Sequence, residues 1–447
     1  MTATSPPVTR VGMPPALLAE LALGAVLLAH LTIVEVQFFS TGTGKNSVLT
    51  VAKFFGLHAA TIMMLQLVLV ARLPWLDRRL GMDRLTRWHR WVGFTLLWTI
   101  LTHATLIVLG YARLDQAPVF RTFLALAGVV ASLLGMCAAA IIVAVAVTST
   151  RYLRRRLSYE TWHAVHVALY VAIALALTHQ LLEGTTFGSS PLAIAHWWTV
   201  WTLVLGSLLI GRVLVPLRRN AYHRFTVAAV VPESDDAVSV YVTGRHLERL
   251  PARAGQFMIW RFPGHNGWWQ ANPFSLSAAP DGRTLRLTAK AVGATSSGLR
   301  HLRVGNRVFA EGPYGAFTSL HQVTNATLLI AGGVGVTPIR ALLEESTGPV
   351  VVLYRVHSRA DAVLLPELEE LARQRGAQLH LLTGRTGAGH PPVTPFDPQQ
   401  LGALVPDIAQ RDVYVCGPPA MTAAVLRSVR ALKVPRAQVH AERFSLA

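Results

Sequence analysis

Four histidines lie in two apolar stretches: His89 and His103 in RWHRWVGFTLLWTILTHATLIVLG (87–110), His166 and His179 in SYETWHAVHVALYVAIALALTHQ (158–180). An imidazole in hydrocarbon is costly and marks a functional site. As helices, the stretches place His103 about 21 Å beyond His89 and His179 about 20 Å beyond His166, at about 1.5 Å per residue. Matched histidines at two depths are what two stacked haems with bis-histidine ligation need. A proton relay or transporter is the rival chemistry, since it too uses buried histidines. Helical phase sharpens the demand. At about 100° per residue, His89 and His103 fall about 40° apart, but His166 and His179 about 140° apart. A kink, a helix crossing or different rotamers must close that gap, and exchanging His166 for His163 does not. The remaining membrane-segment histidines, His30, His58 and His196, read as packing or interface residues.

The elements that position these residues divide the chain in two. It has 447 residues, 52% apolar, with mean hydropathy +0.41. Nearly all long apolar runs fall within 16–215. A membrane span needs about 20 apolar residues, and six stretches qualify: 16–38, 48–72, 88–110, 122–148, 160–182 and 192–215. Arginines crowd alternate loops: Arg72, Arg78, Arg79, Arg84, Arg87 and Arg90; Arg151, Arg154, Arg155 and Arg156; Arg212, Arg218, Arg219 and Arg224. The positive-inside rule puts these loops, both termini and the whole soluble half in the cytoplasm of a multi-pass cell (inner) membrane protein. The same rule explains much of the +18 net charge, so nucleic acid is not an expected partner. The two cysteines, Cys137 and Cys416, fall in different halves and make no disulfide framework. Residues 1–15 read as a disordered tail, and the first apolar run is too long for a signal peptide.

From 221 onward the pattern is soluble. Short β-like runs (RFTVAAVV, AVSVYVTG, QFMIWRF, TLRLTAKAV, RVFAEGPYG) predict a small antiparallel barrel over 221–322. NPFSLS (272–277) lies within it. Phe274 suits the face of a flavin ring and Ser275 a hydrogen bond to it; equally, Phe274 is a core residue. Over 323–447 the pattern becomes strand, glycine turn, helix. TLLIAGGVGVTPIRALLEES carries Gly332, Gly333 and Gly335, then Thr337 and Pro338 opening a helix. Glycines let backbone approach a pyrophosphate, whose charge a helix N-terminus stabilises. Arg355 ends the next strand, with Arg359 following. A basic residue there pairs with a 2′-phosphate, so NADPH is expected, while Asp361 nearby keeps NADH open. Cys416, Gly417 and Pro418 end a later strand, where Cys416 is either a core residue or a nicotinamide contact.

In chain order, NPFSLS, GPYG (312–315), GGVGVTP (332–338) and CGPPAM (416–421) resemble the ferredoxin–NADP reductase superfamily over about 221–447. The WHRWVGF…H and WHAVHVALY…H helices resemble the ferric reductase-like transmembrane domain. Together the chain is similar to ferric reductases and NADPH oxidases along nearly its whole length. The resemblance implies a fold of a six-helix transmembrane bundle (16–220), an antiparallel β-barrel FAD domain and an α/β nucleotide-binding domain. It implies two haem b groups, an inner one on His89 and His166 and an outer one on His103 and His179. It implies flavin contacts from Asn272, Pro273, Phe274, Ser275, Leu276 and Ser277. The family's usual first residue there is His or Arg, so Lys290 and the GATSSGL turn, with Gly293, Thr295, Ser296 and Ser297, are expected to face the flavin phosphates. Glu442 and Phe444 match a C-terminal Glu-x-Phe whose aromatic shields the flavin. The expected activity is transmembrane electron transfer from NADPH through FAD and two haems to an outside acceptor, a ferric chelate. Oxygen reduction to superoxide is the alternative, and a transporter with a regulatory nucleotide domain is a different class that predicts no haem spectrum.

Overall fold

The computed structural model describes residues 15–442 except 43, 155, 158, 266–271, 292–293, 386 and 388–394. The tail expected over 1–15, Pro15 apart, lies outside the described residues, as do Gly293 and Phe444. The chain divides into two compact units. Glu20–Leu73 with Arg84–Arg212 form the membrane unit, while Pro74–Asp83 and Val213–Ala447 belong to the soluble unit.

Six helices among the described residues are long and apolar enough to cross a membrane. They lie where the hydrophobic runs predict: α1 (Pro15–Ser40), α2 (Ser47–Val70), α4 (Met82–Leu114), α6 (Val130–Thr148), α7 (Tyr159–Val167) continued by α8 (Leu169–Glu183), and α9 (Pro191–Leu209) continued to α10 (Val215–His223), with the shorter α3 (Pro74–Leu80) and α5 (Val119–Ala127) between them. Caps set two starts: Asn46 Oδ1 accepts from Leu49 N–H, and Ser190 Oγ accepts from Ala193 N–H with Pro191 next. The fourth expected stretch is broken, with Gly128 and Val129 parting α5 from α6. The last span contains a π-turn at Ile210–Leu214, just before Pro216, whose missing N–H leaves the regular ladder one donor short. The unit's core gathers Val34, Leu57, Ala60, Met63, Met64, Leu67, Trp197 and Trp201.

One break answers the phase problem directly. The helix carrying His166 and His179 is interrupted at Ala168, where Ala168 N–H bonds the Val165 carbonyl and Val171 N–H the Ala168 carbonyl. Such three-residue steps wind about 20° further per residue than an α-helix. Overwinding turns His179 back toward the face that carries His166.

The soluble unit begins with six strands: β1 (Thr226–Ser234), β2 (Ala237–Thr243), β3 (Phe257–Arg261), β4 (Asn272–Ser275), β5 (Thr284–Lys290) and β6 (Phe309–Tyr314). They form two antiparallel three-stranded sheets, ordered β1-β2-β5 and β4-β3-β6. The expected antiparallel barrel is built as two open sheets, joined by single bridges at Leu276–Leu287 and Thr226–Arg307. Their shared core holds Phe225, Val240, Met258, Trp260, Leu276 and Leu287.

The remainder is a five-stranded parallel sheet, β7 (Ala326–Gly332), β8 (Val350–Arg355), β9 (Gln378–Leu382), β10 (Arg411–Cys416) and β11 (Val439–Glu442), in the order β11-β10-β7-β8-β9. The chain steps one way from β7 to β9, then returns to β10 on β7's other side. That reversal makes a switch point between the carboxyl ends of β7 and β10, where ligands of open α/β sheets bind.

Candidate functional site

In the membrane unit the inner histidines meet. The His89 and His166 rings lie 6.3 Å apart between centroids, 67° out of parallel, and each Nδ1 is buried with no hydrogen-bond partner. Two imidazoles with nitrogens about 2 Å from a shared metal have centroids about 6 Å apart. His166 therefore faces His89, while the His163 side chain is exposed.

The outer pair is held differently. His103 Nδ1 donates to the Ala52 carbonyl and His179 Nδ1 to the Ala131 carbonyl, both at 2.8 Å. A carbonyl only accepts, so the proton sits on Nδ1 and the Nε2 lone pair is left for a metal. Each ring rests on a glycine four residues past its carbonyl. A Cβ at Gly56 would meet His103 Cε1 at 2.8 Å, and one at Gly135 would meet His179 Nδ1 at 3.0 Å. This repeated Ala-x-x-x-Gly device was legible in the chain as small residues spaced one turn apart, but no apolar count points to it.

In the soluble unit the flavin-motif residues part company. Ser275 is 3% exposed, and its Oγ has no hydrogen-bond partner. A buried orphan hydroxyl is costly unless something else fills its need, which fits a ligand hydrogen bond. Phe274 is partly buried against the β core, and Asn272 donates to the Trp260 carbonyl. Leu276 is wholly inside the core, and the Ser277 hydroxyl is bonded to Arg286 and Thr288. Lys290 pairs with Asp236 at 2.9 Å, and with Ser234 it holds that carboxyl below the usual carboxylate range. Lys290 must leave Asp236 to reach a phosphate. The GATSSGL turn forms only a single-turn helix, α11 (Ala294–Gly298), with Ser296 buried and Ser297 exposed. We expect Ser275→Ala to leave the thermal stability of the FAD-free protein unchanged. It should weaken FAD about tenfold, the worth of one hydrogen bond of about 1.4 kcal/mol. Flavin fluorescence titration reads this.

The glycine turn sits at the switch point. β7 runs into Gly333–Gly335 and then α12 (Val336–Glu345). A Cβ at Gly335 would lie 2.2 Å from the Cys416 carbonyl oxygen, and one at Gly332 would lie 2.6 Å from Met421 Sδ. Gly417 comes within 3.0 Å of the Gly332 Cα by the same measure. Gly332, Gly335 and Gly417 thus let two loops touch. Gly333 differs, with φ +53° and open space beside it. Thr337 Oγ1 closes onto the Val334 carbonyl, and Pro338 is buried in the first turn of α12. Pro418 is the N-cap of α14, which follows α13 (Leu365–Arg375) and spans Pro419–Ala431. Cys416 is fully buried, packed in the core at the carboxyl edge of β10. Arg355 is nearly buried, donates to the Thr383 carbonyl, and has its pKa lowered by burial. Arg359 is exposed and paired with Glu369 at 2.7 Å. Asp361 is occupied in a capping box with Ser358, which holds its carboxyl low.

Sequence reasoning missed a buried network. Arg286 on β5 donates to both carboxylate oxygens of Glu367 on α13, to Ser277 and to Tyr241, while Arg340 on α12 donates to Glu367 and Glu344. It joins the β sheets to the parallel sheet. Burial, the largest single influence, lowers the Arg286 pKa, but the hydrogen bonds it donates to Tyr241 and Glu367 outweigh it and raise the pKa.

Fold and site define a multi-pass membrane oxidoreductase with a FAD- and NAD(P)-binding soluble part. Residues 55–177 match the ferric reductase like transmembrane component and 329–427 the oxidoreductase NAD-binding domain. The chain is 34% identical over 235 residues to the ferredoxin reductase component of 3-ketosteroid-9-alpha-monooxygenase from Mycolicibacterium smegmatis, covering 49% of this chain and 64% of that protein. It is 30% identical over 240 residues to the toluate 1,2-dioxygenase electron transfer component of Pseudomonas putida, covering 51% and 69%. Among solved structures, the FAD/NAD-binding domain of a Vibrio cholerae nitric oxide dioxygenase is 25% identical, with TM-score 0.41, over 50% of this chain and 99% of that one. The chain belongs to the oxidoreductase family of that electron transfer component, and it carries a ferric reductase-like transmembrane component besides an oxidoreductase NAD-binding domain.

Proposed function

We propose that the chain transfers electrons from NADPH through FAD and two haem b groups to an acceptor across the cell membrane, a ferric chelate. The pairing of His89 with His166, and the matched tautomers of His103 and His179, carry this reading. Residues 16–220 form the haem domain, 221–322 the FAD domain and 323–447 the nucleotide domain, with the arginine-rich loops and the soluble part cytoplasmic. When bound, FAD accepts a hydride and the haems carry single electrons.

The chain's residues supply position. Ser275 offers its hydroxyl to the flavin ring edge and Phe274 its face. Gly333 leaves room for the pyrophosphate, which the N-terminus of α12 stabilises. Arg359 exchanges Glu369 for the 2′-phosphate. Anaerobic NADPH added to purified, FAD-loaded protein is expected to raise the reduced haem bands. A ferric chelate should then discharge them faster than oxygen, and absence of any haem band would overturn the reading. With NADH, kcat/KM is expected to be about tenfold lower, as loss of one charge-assisted hydrogen bond predicts. Arg359→Ala should close that gap.

A further inference from the structure

Apart from the haem-fitting histidines, the membrane unit sets His30 and Glu35 on α1, His58 on α2 and His196 on α9. Their hydrogen bonds fix where protons sit. His58 Nδ1 donates to the Phe54 carbonyl at 2.9 Å, which leaves its Nε2 lone pair facing Glu35 Oε1 at 3.1 Å. A lone pair and a carboxylate oxygen do not approach to hydrogen-bond distance without a proton between them. The pair therefore holds one exchangeable proton, as imidazolium with carboxylate or imidazole with carboxylic acid. His30 is complementary. Thr61 Oγ1 donates to the Leu57 carbonyl and so accepts from His30 Nε2, at 3.1 Å. His30 Nδ1 is then a bare, buried acceptor with no partner. His196 stacks on His30 at 5.1 Å, and its Nε2 is also buried without a partner.

We propose that Glu35 and His58, with His30 and His196, form a proton-binding site that gains a proton when the membrane unit gains an electron. This rests on the haem reading. α2 connects the two sites: it sets Ala52 and Gly56 against His103 and His58 against Glu35 of α1. A helix is about 10–12 Å across, and an added electron in a low-dielectric interior attracts a proton strongly over that distance. The imidazole or carboxylate binds H⁺ from water as the electron arrives from reduced flavin, and releases it when the acceptor takes the electron. His103 and His179 each keep Nδ1–H on a backbone carbonyl and offer Nε2 to the haem. Lys53, also on α2, has its ammonium on Thr41 and Gly42.

The test is a spectroelectrochemical titration of the full-length, haem-loaded protein at pH 6, 7 and 8. Reduction favours protonation, so the outer haem's electron affinity should fall as pH rises. The limit is tenfold per pH unit, equivalent to 59 mV for one electron. Glu35→Gln and His58→Gln are expected to keep both haems and lose most of that slope, and redox-difference infrared spectra should lose a carboxylic-acid band in Glu35→Gln. A wild-type protein with two haems and no slope, or variants with the wild-type slope, would overturn the proposal. A wild-type protein without Soret absorption would instead overturn the haem reading.

Discussion

His103→Ala and His166→Ala are each expected to yield folded protein with one haem in place of two, so that the reduced-minus-oxidised Soret amplitude falls by roughly half. The prediction is sharp because neither imidazole is needed to satisfy the fold. His166 Nδ1 has no hydrogen-bond partner, so its removal from an apolar interior relieves a desolvation cost. His103 Nδ1 satisfies one backbone carbonyl, that of Ala52, whose loss is worth about 1 kcal/mol. Loss of haem in these variants is then loss of a ligand, not of structure. His163→Ala is the control. Its side chain is exposed, and it should retain both haems. Electron delivery to an outside acceptor should fall at least about 100-fold in either ligand variant, the upper range for losing even an outer-shell partner of a ligand. Two full haems in His103→Ala or His166→Ala would sink the assignment.

Much of this was legible because each signal is local. Apolar length alone placed the six spans, and the strand–glycine–helix pattern placed Gly332–Gly335 at the carboxyl edge of β7. What escaped depends on contacts between distant segments. Arg286 and Glu367 look like ordinary charged surface residues in sequence, yet they meet inside the soluble unit. Ser277 differs from Ser275 by two positions in one motif, but only the fold shows that Arg286 claims its hydroxyl. The phase conflict between His166 and His179 was itself informative. Ideal helical periodicity gave the wrong angle, and the structure places a local overwinding at Ala168 between the two residues. His30, His58 and His196 read as packing residues one at a time. Their relation becomes visible only when α1, α2 and α9 are brought side by side.

Gly335→Ala should show how strictly the nucleotide turn depends on backbone contact. The added Cβ would lie 2.2 Å from the Cys416 carbonyl oxygen, 2.6 Å from its carbon and 3.0 Å from the Gly417 Cα. All three are backbone atoms, so no rotamer change relieves the clash, and α12 must withdraw from the sheet. Overpacking of this kind costs typically 1–3 kcal/mol, and with backbone on both sides we expect about 3 kcal/mol. That corresponds to a fall of roughly 6–12 °C in the Tm of the soluble unit's unfolding step, measured on the purified full-length protein. Gly333→Ala separates binding from stability. Nothing lies within 4 Å of its built Cβ, and its φ of +53° costs an alanine about 1–2 kcal/mol. Its methyl, however, points into the open space proposed for the pyrophosphate. Gly333→Ala should therefore lower Tm less than Gly335→Ala while raising the KM for NADPH about tenfold, equivalent to 1.4 kcal/mol of binding. If Gly335→Ala unfolds at the wild-type temperature, the two loops are not in contact. If Gly333→Ala binds NADPH as the wild type does, the phosphates do not lie over that turn, and the coenzyme enters by another edge of the sheet.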